Sequence, residues 1–411
     1  IISNKSDVLP KLGYGLFWLV LFVASLGAGK NAYADIQCVK TITANVVVFD
    51  SPTIFNRLGA QNPNWITYSL ARDAVDKNTG LPCSEAACTA GKVELRGDKR
   101  PRPLVIRSVE GACLTVNFTN LLSQAANPND AINDNPAPFQ GTDAVLINND
   151  QVAGRCAGFH ATGTELVNGM EDDGSMVGAN DGGNAAPTIN GQATAAACGP
   201  GLAEPGGSRT YKLYTPHEGA FIINSYGATL GSEASGGNLG IGMFGALNVQ
   251  PKGARIYRSQ VTEEEMRLAT TGYTDLGQPI INYEATYPTN SPWDLEGKAG
   301  RPIINMLQGV GCDSADWTSC ELVHSDINAI IAGPDADGTW YSKCPNGADA
   351  ADPEGCPYPL ESVGKKNPQL PQRLEAYREF TSQFHDEQTN SQVFPQWYNN
   401  PVMRHVTHGV K

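Results

Sequence analysis

Short apolar runs, many of them β-branched, recur along the chain between long polar stretches. Ile42–Phe49 (ITANVVVF) and Leu104–Arg107 (LVIR) have strand composition, and Leu114–Phe118 (LTVNF) alternates apolar with polar positions as a half-buried strand does. Ala220–Ile223 and Phe244–Val249 continue the pattern. Between these runs lie Asn127–Pro138 and Gly174–Gly207, dominated by Gly, Asn, Ala and Pro. Loops that long usually carry function or disorder. One short helix is predicted: Thr262 and Glu265 form a capping-box pair, and Glu263–Leu268 (EEEMRL) follows. Pro288, Pro292, Gly297 and Gly300 shift the composition over Tyr287–Gly300 and mark a linker. A second strand-rich region runs from Arg301 to Lys411. The pattern predicts an all-β chain: a first sandwich-like domain over 35–258, a linker with a short helix over 259–300, and part of another sandwich over 301–411.

Composition agrees with a turn-rich chain, since it holds 44 Gly and 27 Pro but only 17% charged residues. The first 34 residues stand apart. Lys11 precedes the uncharged stretch Leu12–Gly29, whose most apolar part is Leu16–Val23, and the small-residue site Ala32-Tyr33-Ala34 precedes Asp35. That layout predicts a secretory signal over 1–34, cleaved after Ala34. A membrane anchor needs about 20 predominantly apolar residues, and Gly13, Gly15, Gly27 and Gly29 dilute this stretch. No later segment is apolar enough to span, so the mature chain is expected in the periplasm, at the outer surface or in the medium. Loss of Lys5, Lys11, Lys30 and Asp7 takes the formal net charge from −13 to −15. Such acidity repels phosphate backbones and argues against a nucleic-acid partner.

Ten cysteines in an exported chain read as disulfides. Cys83/Cys88, Cys312/Cys320 and Cys344/Cys356 are near enough in sequence to close local loops. Cys38, Cys113, Cys156 and Cys198 would pair over longer distances, with the connectivity open. No Cys-x-x-Cys occurs and no cysteine neighbours a histidine, so the metal alternative is weak.

Several motifs point nowhere. Gly240-Ile-Gly242-Met-Phe-Gly245 fits a dinucleotide-binding glycine pattern, but strand-like Ala246–Gln250 and Pro251 follow where a helix is needed. Its glycines are read as turn residues. Asp335-Ala-Asp337-Gly338 starts like a calcium loop and lacks the further oxygen ligands. Glu171-Asp172-Asp173 could hold a cation, but a charge run in a loop is expected to be solvated. No Gly-x-Ser-x-Gly elbow supports a serine hydrolase, although a triad can be assembled in space.

What remains is an ordered set of phrases. Gly111–Asn120 (GACLTVNFTN) comes first, then Gly158-Phe159-His160-Ala161-Thr162-Gly163. Asp173-Gly174-Ser175 and Gly178-Ala-Asn180 follow, then Pro205-Gly206-Gly207 leading to Thr210-Tyr211, then Glu218-Gly219-Ala220-Phe221, and last Gly242–Pro251 (GMFGALNVQP). The series resembles the first cupredoxin domain of multicopper oxidases over roughly Thr41–Pro251. In that family a strand ending in Thr-Asn precedes a His-x-His-Gly segment, a "DG" loop, a "PG…Tyr" strand, a His-Ser-His strand and a final Gly-rich strand. Arg301–Asn305, Val323–Ile330, Arg378-Glu-Phe380 and Phe384-His-Asp-Glu387 look like large bacterial members, some of them associated with manganese oxidation. The resemblance implies a cupredoxin-like Greek-key β-sandwich followed by a partial second cupredoxin-like domain.

The departures are as informative. Two His-x-His pairs on neighbouring strands supply half of the family's trinuclear copper site. This chain has His160-Ala161-Thr162 at the first place and Asn224-Ser225-Tyr226 at the second. Imidazole suits copper in both oxidation states, and Asn and Tyr cannot build the same centre. The family's His-Cys-His segment, which serves its blue-copper site, is absent. His160 is thus the one family ligand position still filled by histidine, and His405 and His408, three apart, are a second candidate metal pair. His217 is expected to be exposed, and His324 and His385 to be structural.

The resemblance implies the N-terminal portion of an exported multicopper oxidase, an oxidoreductase passing electrons from substrate to dioxygen through copper. This segment would act mainly as scaffold and be inactive alone, with copper ligands supplied by domains beyond residue 411. Its electron donor, a phenol or a metal ion among the options, stays open. The alternative is a copper-free, degenerate cupredoxin module with a binding or surface-assembly role.

Overall fold

The computed structural model describes residues 36–51 without 39, 53–54, 61–62, 65–123, 156–169, 172–175, 188–189, 192–193, 201–227, 238–239, 242–309 without 295, 312, 318–332 and 377–384. The export segment, the calcium-like turn at 335–338, Cys344, Cys356, His385, His405 and His408 lie outside them. So do Asn127–Pro138 and most of Gly174–Gly207. The chain divides into units 1–37 and 38–411, and the described part of the first carries no regular element. Among the described residues no helix is long and apolar enough to cross a membrane.

The second unit is built on two mixed sheets. In the first, β1 (Thr41–Asp50) lies parallel to β4 (Cys113–Asn120), and β4 pairs antiparallel with β7 (Ser208–Tyr214), which pairs with β6 (Glu165–Leu166). On its other side the last half of β1 pairs with β2 (Ile66–Leu70), while its start lies parallel to β12 (Ser319–Leu322), which continues to β11 (Leu307–Gln308). The second sheet runs β3 (Leu104–Val109), β9 (Phe244–Gln250), β8 (Gly219–Asn224) and β5 (His160–Ala161). The chain passes back and forth between the sheets. Alternation sets which side chains meet: Leu114, Val116 and Phe118 of β4 are buried while Asn117 is exposed. They join Ile42, Ala44, Val46, Tyr211 and Leu213 of the first sheet and Leu104, Ile106, Ile223, Leu247 and Val249 of the second in one core. The architecture is all-β, two mixed sheets sharing one core, as the strand pattern predicts.

The second half of β1 is buried on both faces, which simple alternation does not anticipate. A second cluster explains it. Val47 and Phe49 pack with Ala71, Ala74, Val93 and Leu121 on the side away from the main core. The Cys83–Cys88 bridge borders this cluster, and Cys38–Cys113 ties the entry of β1 to the start of β4. Cys312–Cys320 also forms, and Cys156 is disulfide-bonded.

Strand segments from both sides of residue 300 share the first sheet and the main core, through β12, Met306 and Leu322. A third, antiparallel sheet joins β10 (Arg255–Arg258), β13 (Asn328–Ala332) and β14 (Tyr377–Phe380). Helix α1 (Glu263–Ala269) carries the expected capping box, with Thr262 and Glu265 each bonding the other's backbone. The stretch read as a linker contributes to a small core of its own, in which Tyr287 packs with Tyr257, Ala269, Ile303 and Ile304. Gly242 of the dinucleotide-like motif has φ +111°, and a Cβ there would strike the Ile66 carbonyl. It is a turn and close-approach residue followed by a strand.

Candidate functional site

The segment that bears His160 is anchored from below. Tyr68 is fully buried, donates from its hydroxyl to the Gly158 carbonyl (2.6 Å), and meets Phe118 and Phe159 edge-on. With Phe159 drawn into the core, strand alternation turns His160 toward the outer edge, where its side chain is 23% exposed. β5 pairs antiparallel with β8 so that His160 lies opposite Asn224. The phrases His160–Thr162 and Asn224–Tyr226 are therefore brought to adjacent strands, although they are about 60 residues apart in sequence.

Among the described residues His160 has one charged partner: its Nδ1 lies 2.7 Å from Asp173 Oδ1. Asp173 also accepts from the Ser175 amide (2.9 Å) and the Ser175 hydroxyl (2.6 Å). Burial pushes its carboxyl up, but the bonds from His160 and Ser175 outweigh this and hold it at about 2. The Tyr226 ring stands edge-on to the imidazole at 5.2 Å. Gly174 makes the loop possible, because a Cβ there would collide with the Phe159 backbone. A carboxylate on Nδ1 favours the tautomer with hydrogen at that atom, leaving Nε2 with the lone pair that a proton or metal would meet.

Asp172 and Asp173 of the acidic triplet are not solvated as expected of a charge run. Asp172 is 2% exposed and accepts from the Asn168 amide (2.8 Å) and the Lys212 amide (3.0 Å), fastening the loop to β7. Asp173 is the partner of His160. Sequence reading missed that role; the available signal was the Asp-Gly turn 13 residues after the histidine.

At the remaining ligand positions the side chains are engaged otherwise or chemically unsuited. The Thr162 hydroxyl accepts from the Ile222 amide (3.0 Å), and between the positions 224 and 226 the Ser225 hydroxyl accepts from the amides of Gly158 and Gly227 (3.1 Å each). Asn224 is buried and Tyr226 is 41% exposed. Among the described residues no group of three or more His, Cys, Asp or Glu could hold a metal ion. The residues present do not fit a trinuclear copper half-site, and His160 alone is one ligand where a centre needs several.

The other described histidines are not brought to this place. His217 is exposed at the entry to β8. His324 is buried with Nε2 donating to the Pro302 carbonyl (2.8 Å). Burial, with Arg258 and Arg72 nearby, pushes its pKa well down, so it is a neutral structural residue.

No family model and no curated protein matches the chain. Solved structures do. A multicopper oxidase from Pseudomonas thermotolerans is 15% identical, with a TM-score of 0.23, over 52% of this chain and 30% of that one. The multicopper oxidase mgLAC is 14% identical, with a TM-score of 0.26, over 56% and 43%. A further multicopper oxidase is 13% identical, with a TM-score of 0.23, over 54% and 51%. The matched part thus spans between 30% and 51% of those chains.

Proposed function

We propose that the chain is the N-terminal portion of an exported multicopper oxidase in which this segment serves as scaffold. The observation that carries the reading is the register that sets Asn224 opposite His160. It puts on adjacent strands the two phrases that hold paired imidazoles in the family the sequence resembles. The disulfides Cys38–Cys113, Cys83–Cys88 and Cys312–Cys320 agree with export to an oxidising compartment. Copper and the step to dioxygen then belong to ligands supplied beyond residue 411, and the electron donor stays open, a phenol or a metal ion being among the options.

The substitutions at the ligand positions favour a second reading, a copper-free module that binds a partner or joins a surface assembly. Thr162 bonds the Ile222 amide, Asn224 and Tyr226 stand where the family has histidines, and Asp173 engages His160. The full reading frame separates the two. A His-Cys-His-x-x-x-His run downstream is expected for the oxidase, and its absence sinks that reading. Metal analysis of purified 35–411 is expected to give substoichiometric copper and no copper–thiolate absorption under either reading. One tightly bound copper per chain would overturn the scaffold role.

A further inference from the structure

The chain has a net charge of −13, yet among the described residues one cleft has several cations on its wall. A cleft of about 290 Å³, mouth included, is lined by Tyr68, Ser69, Asp73, Lys99, Arg102 and Ser325, with Arg100 also on its wall. Asp73 is already neutralised, because Lys99 (3.2 Å) and Arg96 (3.4 Å) both pair with it. Arg100 and Arg102 make no ion pair or hydrogen bond to a described residue, and Arg102 is half-buried. Arg102 is also near enough to Arg107 to help depress that residue's pKa, after the larger effect of burial. Ser325 is only 6% exposed and lines the cleft.

We propose that this cleft binds a small carboxylate- or phosphate-bearing anion, held by the Arg102 and Arg100 guanidinium groups and by the Ser325 hydroxyl. A guanidinium presents a planar fork of donors that matches both oxyanions, and a half-buried one without an acceptor gains most from receiving it. The positive wall in an acidic molecule concentrates anions locally. The site shares no residue with the His160 pair and does not depend on copper.

Calorimetric titration of the whole secreted chain at constant ionic strength tests this, with inorganic phosphate and malonate as separate probes. One saturable site per chain is expected for at least one of them; tighter phosphate identifies a phosphoryl ligand and tighter malonate a carboxylate. Arg102→Gln is expected to weaken binding about tenfold or more, the loss typical of one charge-assisted hydrogen bond. Arg100→Gln, on the exposed rim, gives a smaller loss and carries the test if the other variant does not fold. Absence of saturable heat from both probes at millimolar concentration overturns the proposal, as does unchanged affinity in the folded variants.

Discussion

The two edges of the four-stranded sheet carry polar clusters of opposite character. At one edge, Arg107 of β3 is 0% exposed, and its donors reach Glu379 (2.8 Å), the Asp326 carbonyl (2.5 Å) and the Ile327 carbonyl (2.8 Å). Glu379 also accepts from Asn248 (2.8 Å) and from Gln250. At the other edge, His160 of β5 is 23% exposed and bonded to a single carboxylate. The first cluster cross-links β3 and β9 to β14. The second is ordered on one side and open on the other. Burial of a charge demands complete pairing, whereas an imidazole at the rim can be held by one bond and keep a nitrogen to spare.

The sharpest way to break this contrast is to remove the buried cation. Arg107→Met leaves the Glu379 carboxylate, whose side chain is 19% exposed, without its charged partner, and two carbonyls without donors. A loss of about 3–5 kcal/mol is expected, as for other broken buried pairs. It should read as a lower denaturant midpoint at an unchanged m-value. A loss under about 1 kcal/mol, the range of surface pairs, would show that the cluster does not anchor β14 to the sheet.

The difference between the edges also sets what the sequence reveals. Alternation in Leu114–Phe118 and the Thr262/Glu265 cap are local signals, and both elements form where they predict. Burial of Val47 and Phe49 depends on a second cluster built by Ala71, Val93 and Leu121, which no window around β1 contains. The Arg107 network joins residues 219, 220 and 272 positions apart, so nothing near Ile106-Arg107 announces it. His160 is visible as a motif position, but its partner Asp173 lies in a charge run that reads as solvated. Asp172 and Asp173 instead accept backbone amides, and only the folded loop brings the donors.

Acid titration separates the edges next. The Asp173 carboxyl sits at about 2, below its ordinary 3.8, so its contribution to stability is complete above the ordinary value. That contribution is lost as pH falls through about 2. The shift corresponds to about 2 kcal/mol before solvent screening, and the side chain's partial exposure trims it. Compared with Asp173→Asn, the native chain should therefore be more stable by roughly 1–2 kcal/mol near pH 6, with the gap closing toward pH 2. Equal denaturant midpoints for the two proteins at both pH values would mean that the bonds from His160 and Ser175 do not favour the ionised form.

The smallest expected effect is the direct coupling of His160 with Asp173. Both side chains are about a quarter exposed, so water screens the pair and side-chain ordering offsets part of the attraction. A double-mutant cycle with His160→Ala and Asp173→Ala should give a coupling of about 0.5–1 kcal/mol at neutral pH. The same cycle on Arg107 and Glu379 should give several times more, since the guanidinium is fully buried and water cannot reach it to replace the lost carboxylate. If the His160 coupling instead equals that of the buried pair, the rim imidazole is fixed by structural pairing to the same degree as Arg107. Its open nitrogen would then be a by-product of packing, and the copper-free reading would gain the ground that the scaffold reading loses.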